Sequence, residues 1–178
     1  LEEVGVVLRD DIAREDWGRA GGDGRGETVQ LDRALVRDLI SSIPPTSTLH
    51  ARNPEKTVAV GGRNSILVPM TGAPYLRDLD DVRRSPTLDD LATFHKLSHM
   101  LPAMHSSAHH IVEPMDHPVS HRHLRITYSS MIHSDKTFMG LATSGRNAAD
   151  VLDRGGMLVG EEYLETSPVV VGDCNGHS

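Results

Sequence analysis

Between Ser106 and Gly140 the sequence gathers histidines around one well-placed carboxylate: SSAHHIVEPMDHPVSHRHLRITYSSMIHSDKTFMG. The apolar run His110-Ile111-Val112 ends on Glu113-Pro114. Proline restricts the residue before it to extended backbone, so Glu113 is presented at the end of a short strand. A carboxylate there is suited to holding a cationic group or acting as a base. The competing structural assignment is a helix cap, or an ion pair with Arg122 or Arg125. The histidines suggest metal chemistry: His95 and His99 lie four apart on one helical face, and His105, His109, His110, His117, His121 and His123 follow. Imidazole is a common metal ligand. Against this, there is no His-Glu-x-x-His and no cysteine pair, and His121 and His123, two apart, do not share a helix face. We expect most of these side chains to be hydrogen-bonded locally, and we assign no metal site.

Other candidates lie after later apolar runs. Thr143 and Ser144 follow Thr137–Ala142; Ser144 suits a helix N-cap, and Thr143 a position at the mouth of a site. Asp173, Asn175 and His177 follow Pro168–Gly172 in the same relative place. Cys174 has no neighbouring base and is read as a small buried hydrophobe. The Gly-x-Ser-x-Gly elbow and the Gly-x-Gly-x-x-Gly turn are absent. The glycine-rich Gly21–Gly26 stretch has no phosphate lysine and is read as a solvated turn.

These residues must be carried by regular elements. Thr87 with Asp90 starts a helix whose apolar positions run to Leu101, ended by Pro102. A strand is predicted near 108–112, a helix near 118–133, a strand near 137–142, a helix near 145–159 capped by Ser144, and a strand near 168–172. Strands alternating with helices imply right-handed parallel units. In such units, residues just past the carboxyl ends of the strands build the site. The first half is different. Asp32 caps a helix over 33–43 with Leu35, Leu39 and Ile43 as an apolar stripe, ended by Pro44-Pro45. Short runs at 47–51, 57–60 and 65–70 follow, the last two joined as a hairpin by Gly61-Gly62-Arg63-Asn64. Another pair is expected at 75–79 and 82–85. The fold class is therefore α/β: an N-terminal α+β appendage over 1–86 and parallel βα units over 87–178.

Composition narrows the function. A net charge of −7 and 3% aromatic residues among 178 argue against nucleic acid as a partner, since phosphate binding needs a Lys/Arg surplus and base stacking needs rings. A single cysteine excludes an intrachain disulfide framework and fits a reducing, cytoplasmic setting. No apolar run approaches the ~18 residues of a membrane span. The chain starts at Leu1 and stops soon after an apolar run, so we expect it to be part of a longer protein.

Several blocks together resemble the trimethylamine methyltransferase family: Thr48-Leu49-His50-Ala51-Arg52-Asn53-Pro54, Tyr75-Leu76-Arg77-Asp78-Leu79-Asp80, Ile111-Val112-Glu113-Pro114, Ser134-Asp135-Lys136-Thr137-Phe138-Met139-Gly140, and Pro168 through Ser178. Their order and spacing agree over nearly the whole chain. The resemblance implies a (β/α)8 TIM barrel, of which this chain holds the appendage and the first units. It implies transfer of a methyl group from a quaternary or tertiary amine, such as glycine betaine or trimethylamine, to the Co(I) corrinoid of a separate corrinoid-binding protein, with no cofactor held directly. A methylammonium is attracted by carboxylates and aromatic faces. Glu113 is then the candidate catalytic residue, with Tyr75, Thr143 and Asn175 as candidate substrate contacts. A half barrel exposes strand edges, so association into a homo-oligomer is expected. The alternatives are a metal-dependent barrel hydrolase using the histidines, and a non-catalytic truncated barrel. Two departures stand out: Thr137 where the family often has proline, and Gly155-Gly156 inside a predicted helix, each glycine weakening it by about 1 kcal/mol.

Overall fold

A computed structural model describes residues 1–140 and 143–172. The chain divides into two compact units, Leu1–Pro45 and Thr46 onward. The division falls earlier than the 86/87 boundary read from the sequence. The reason is that the hairpin region 46–85 hydrogen-bonds into the parallel region: His50 N donates to Pro168 O, Asn53 N to Asp135 O and Gly72 N to His110 O.

In the first unit, β1 (Val6–Val7), β2 (Asp23–Arg25) and β3 (Thr28–Gln30) form an antiparallel sheet ordered β1-β3-β2. Its glycine-rich stretch is not simply a solvated turn: Asp23–Arg25 is a strand, and Gly26, at φ +65°, makes the turn back to β3. α1 (Asp11–Arg19), which the sequence reading did not anticipate, is capped by the Asp10 carboxylate accepting from Ala13 N. α2 (Arg33–Ser41) starts where expected, with Asp32 accepting from Ala34 N and Leu35 N. Of the expected stripe, Leu39 and, just past the helix, Ile43 stay exposed. The core here is small and centres on Val29 and Leu31.

The second unit begins with β4 (Thr46–Leu49) and β5 (Val58–Gly61), paired antiparallel. The sequence reading paired 57–60 forward with 65–70. Instead the Gly61–Asn64 turn closes in a single bridge, and 57–60 pairs backward across the short helix Pro54–Lys56. β6 (Leu76–Arg77) and β7 (Arg83–Arg84) form the second predicted hairpin. α3 (Leu88–Met100) has the predicted capping box between Thr87 and Asp90. Arg84 forks onto Asp90 at 2.6 and 2.7 Å and holds that carboxyl well below its usual range. α4 (Val119–His133), β8 (Phe138–Gly140), α5 (Gly145–Val159), α6 (Glu161–Thr166) and β9 (Val170–Gly172) complete the described elements.

Parallel pairing advances in chain order. Ala73 bridges Val112, Ser106 bridges Thr137, and β8 pairs with β9 from Phe138↔Val170 to Gly140↔Gly172. The helices follow in step: α3 packs on α4, α4 on α5 and α5 on α6. The predicted strand at 108–112 is reduced to a bridge at Val112, with a second at Ser106 just before it, because buried Ala108 takes a left-handed backbone at φ +55° and bends the segment. Leu91, Val112 and Ile126 form a core cluster against Ala73, Leu88, Phe94 and Ile111. Gly140 must be glycine, since a Cβ would meet Val151 Cγ1 at 2.5 Å. Gly155 and Gly156 are close-approach points: a Cβ on Gly155 would meet Val170 and Leu164 at 3.3–3.4 Å, and one on Gly156 would meet Glu161 Cγ at 3.2 Å. The helix penalty of the two glycines thus accompanies tight packing of β9 and α6. Among the described residues no helix is long and apolar enough to cross a membrane.

Candidate functional site

The two ends of the parallel region are built differently. At the end where the strands begin, cationic side chains close the carboxyl termini of helices, whose last carbonyls lack intrahelical partners. Lys136, buried just before β8, donates through Nζ to the carbonyls of Ser98, Leu101 and Met104 at 2.7, 2.8 and 2.6 Å, at the end of α3. Burial lowers its pKa, and Lys56 adds to the effect. Arg52 does the same for α4, donating to Met131 O and Ser134 O at 3.0 and 3.2 Å. Asp135 joins the pieces, paired with Lys56 and lying 3.3 Å from His99 Nδ1. Burial opposes its charge, but Lys56 outweighs this and its pKa is lowered. A cavity of about 340 Å³ opens here, lined by Lys56, His99, Met104 and His105 among others. It lies at the opposite end from Glu113.

At the end where strands finish, Glu113 is held by backbone and side chain. Its N–H donates to Ala73 O at 2.9 Å, and its Oε1 accepts from Arg122 Nη1 at 2.6 Å. Arg122 is fixed in turn, donating Nε and Nη2 to the His117 carbonyl at 3.3 and 2.9 Å. The ion pair with Arg122 considered from the sequence is therefore formed. Oε2 of Glu113 lies 3.8 Å from His110 Nε2. The pair is only partly covered, its side chains 22% and 13% exposed for Glu113 and Arg122. The same turn leaves His117 Nδ1 buried with no hydrogen-bond partner among the described residues.

Three candidate substrate contacts fare differently. Tyr75 follows Ala73, whose backbone lies beside Val112, so its segment does run next to Glu113. Its ring is half exposed, but the Arg83 guanidinium already sits 3.9 Å over the ring centre. Thr143 is exposed and accepts from Asn147 Nδ2 at 2.8 Å, while Ser144 caps α5 through Asn147 N. Asn175 lies outside the described residues, as do Asp173, Cys174 and His177.

The histidines are mostly structural. His95 is fully buried between the Ser129 hydroxyl and the His109 carbonyl, at 2.9 and 2.7 Å. A carbonyl only accepts, so Nε2 carries the proton and Nδ1 accepts from serine. Burial pushes its pKa down to about 4. His109 and His110 stack with ring centres 4.0 Å apart and share a contact through their Nδ1 atoms. Burial, then His110 and His95, push His109 down to about 3. His123 pairs with Asp150 across α4 and α5 at 2.9 Å. Among the described residues no three His, Cys, Asp or Glu side chains come together as a metal would require. Lys136 was missed from the sequence, although a lysine directly before an apolar strand, after a polar turn, was the available signal.

The family model described as "Trimethylamine methyltransferase (MTTB)" matches residues 1–178. The chain belongs to this family. It is 39% identical over 176 residues to glycine betaine methyltransferase of Desulfitobacterium hafniense (strain Y51), covering 98% of this chain and 37% of that protein. It is 24% identical over 183 residues to trimethylamine methyltransferase MttB of D. hafniense (strain DSM 10664 / DCB-2), covering 98% and 36%. It is 26% identical over 98 residues to L-carnitine:corrinoid methyltransferase of Eubacterium limosum, covering 54% and 20%. The chain thus spans little more than a third of the first of these relatives. The motif blocks of this family member meet in the fold: the 48–54 block reaches the 134–140 block through Arg52 and Asn53.

Proposed function

We propose that this chain is part of a methyltransferase that moves a methyl group from a quaternary or tertiary amine, glycine betaine foremost, to the Co(I) corrinoid of a separate corrinoid-binding protein. The observation that carries this reading is the 39% identity over 98% of the chain to a glycine betaine methyltransferase. The names of the relatives as methyltransferases, one of them a carnitine:corrinoid enzyme, support the same chemistry. The cobalt supplies the nucleophile, so the protein's own residues need only bind and orient the amine. Glu113 suits that task, because a carboxylate at the carboxyl end of a parallel strand faces the side where such folds build sites. The parallel pairing that advances in chain order, with helices in step, supports a (β/α)8 barrel for the whole protein. The reading also carries a cytoplasmic, homo-oligomeric enzyme, with Tyr75, Thr143 and Asn175 as further substrate contacts.

The test is methyl transfer by the full-length protein from glycine betaine to a reduced corrinoid protein, followed by the cob(I)alamin spectrum. We expect loss of the Co(I) signal with glycine betaine as donor. No transfer from glycine betaine, carnitine, trimethylamine or related donors would overturn the proposal.

A further inference from the structure

We infer that the cavity at the end where the strands begin binds a small aliphatic carboxylate, at a site separate from the amine site proposed at Glu113. The site stands independently of the methyltransferase reading.

The cavity measures about 340 Å³, at the small end of the range for ligand pockets. Its polar wall offers donors. His105 is clamped by the backbone of Leu67: its N–H donates to Leu67 O at 2.8 Å, and its Nδ1 accepts from Leu67 N at 3.0 Å. A ring nitrogen that accepts carries no proton, so the proton of the neutral ring sits on Nε2. That N–H has no acceptor among the described residues. Lys56 Nζ carries three N–H groups and spends one on Asp135. Its side chain is 30% exposed, and the other two N–H groups have no acceptor among the described residues. His99 Nδ1 is buried 3.3 Å from Asp135 Oδ1, again without a hydrogen-bond partner among the described residues. An unpaired buried polar atom marks a wall whose polar groups are not matched within the protein itself.

Charge selects the ligand. Lys136 adds charge but no donor, because its three N–H groups are spent on the carbonyls of Ser98, Leu101 and Met104. Two ammoniums, Lys56 and Lys136, thus stand against the single carboxylate of Asp135, an excess of one positive charge. The lysines oppose each other: after burial, Lys56 is the next cause that lowers the Lys136 pKa. Glu55 also lines the cavity, but it is exposed and its charge is screened by solvent. A singly charged anion balances this excess, whereas a doubly charged one overshoots it. A carboxylate presents one oxygen to the imidazole N–H and one to the ammonium. Val58, Met100, Pro102 and Met104 complete the wall, which favours a hydrocarbon body over an inorganic ion. Catalytic sites of parallel α/β folds lie at the opposite end, so this site binds rather than reacts. A ligand here ties the Pro54–Lys56 helix to the end of α3 and the turn after it.

The test is calorimetric titration of the full-length protein with butyrate, its neutral isostere butyramide, and inorganic phosphate. Butyrate should bind at one site per chain, with butyramide and phosphate weaker by about tenfold or more. Saturating glycine betaine should not displace it. Lys56→Gln and His105→Phe should each weaken butyrate by about tenfold or more. If both variants fail to fold, Glu55→Lys on the exposed rim decides: at low ionic strength it should tighten butyrate by about threefold and leave butyramide unchanged. The proposal is overturned if butyrate does not bind, if it binds no better than butyramide or phosphate, or if glycine betaine displaces it. It is equally overturned if the folded interior variants, or Glu55→Lys in their place, bind butyrate as the wild type does. Methyl transfer is a separate readout: its failure leaves butyrate binding intact, and failure of butyrate binding leaves methyl transfer intact.

Discussion

The two ends of the parallel region use the same kinds of side chain for opposite purposes. Where the strands begin, Lys136 and Arg52 direct every bond we find for them at backbone carbonyls, three and two respectively, and so close the ends of α3 and α4. Where the strands finish, Arg122 holds a carboxylate as well as a carbonyl, and both members keep bonding capacity in reserve. A cation that satisfies carbonyls is a structural part, because removing it leaves buried acceptors bare. A cation paired with a carboxylate and left partly open can exchange partners with a ligand. The blocks that carry the family resemblance divide along this line: 48–54 and 134–140 build the closed end, and 111–114 the open one.

Substitutions should separate the ends. The largest effect is expected from Lys136→Met, which strips three carbonyls, one buried and two part-buried, of their donor; a loss of about 3–4 kcal/mol in urea unfolding is expected, against under about 1 kcal/mol for Glu113→Gln. Equal losses would erase the contrast. Next is acid. His95 is buried neutral with its pKa near 4, against an ordinary value near 6.5. The unfolded chain therefore binds this proton first as pH falls. Its contribution is complete above about pH 6.5 and is lost as pH drops through 4, on the order of 3 kcal/mol in all. His109, with its pKa near 3, acts in the same direction. Unfolding midpoints measured from pH 7 to 4 should fall steeply, and His95→Gln should flatten that fall. Arg52→Ala should cost about 2 kcal/mol by baring Met131 O and Ser134 O, with KM for the amine unchanged. The smallest effect belongs to the open end: Arg83→Ala should shift stability by no more than about 0.5 kcal/mol. If Tyr75 contacts the ammonium, uncovering its ring should lower KM a few-fold; an unchanged KM would remove Tyr75 from the site.

Local signals were read well. The capping box of Thr87 and Asp90, the Ser144 cap and the helices starting at 33, 119 and 145 depend on neighbours within one turn, and they lie where the residues indicate. Pairing was read less well. The run at 57–60 has two possible partners of similar composition, and the choice of 46–49 over 65–70 depends on contacts the turn residues do not encode. The exposed stripe of α2 carries the same period as a buried one.

For the site, the chain alone determined that Glu113 ends an apolar run before a proline, and that the histidines come with neither a His-Glu-x-x-His motif nor a cysteine pair. Those are facts of covalent order and short-range geometry. It left open whether Glu113 would stand free, cap a helix or pair with Arg122 or Arg125. Only the tertiary structure decided that, by packing α4 so that Arg122, nine residues on, returns to the carboxylate with its other bonds on His117. It also decided that Lys136 is a helix closure, since its three acceptors lie 32 to 38 residues away. Charge and hydrogen-bond capacity are written in each residue, whereas the partner that uses them is chosen by distant segments brought together in folding.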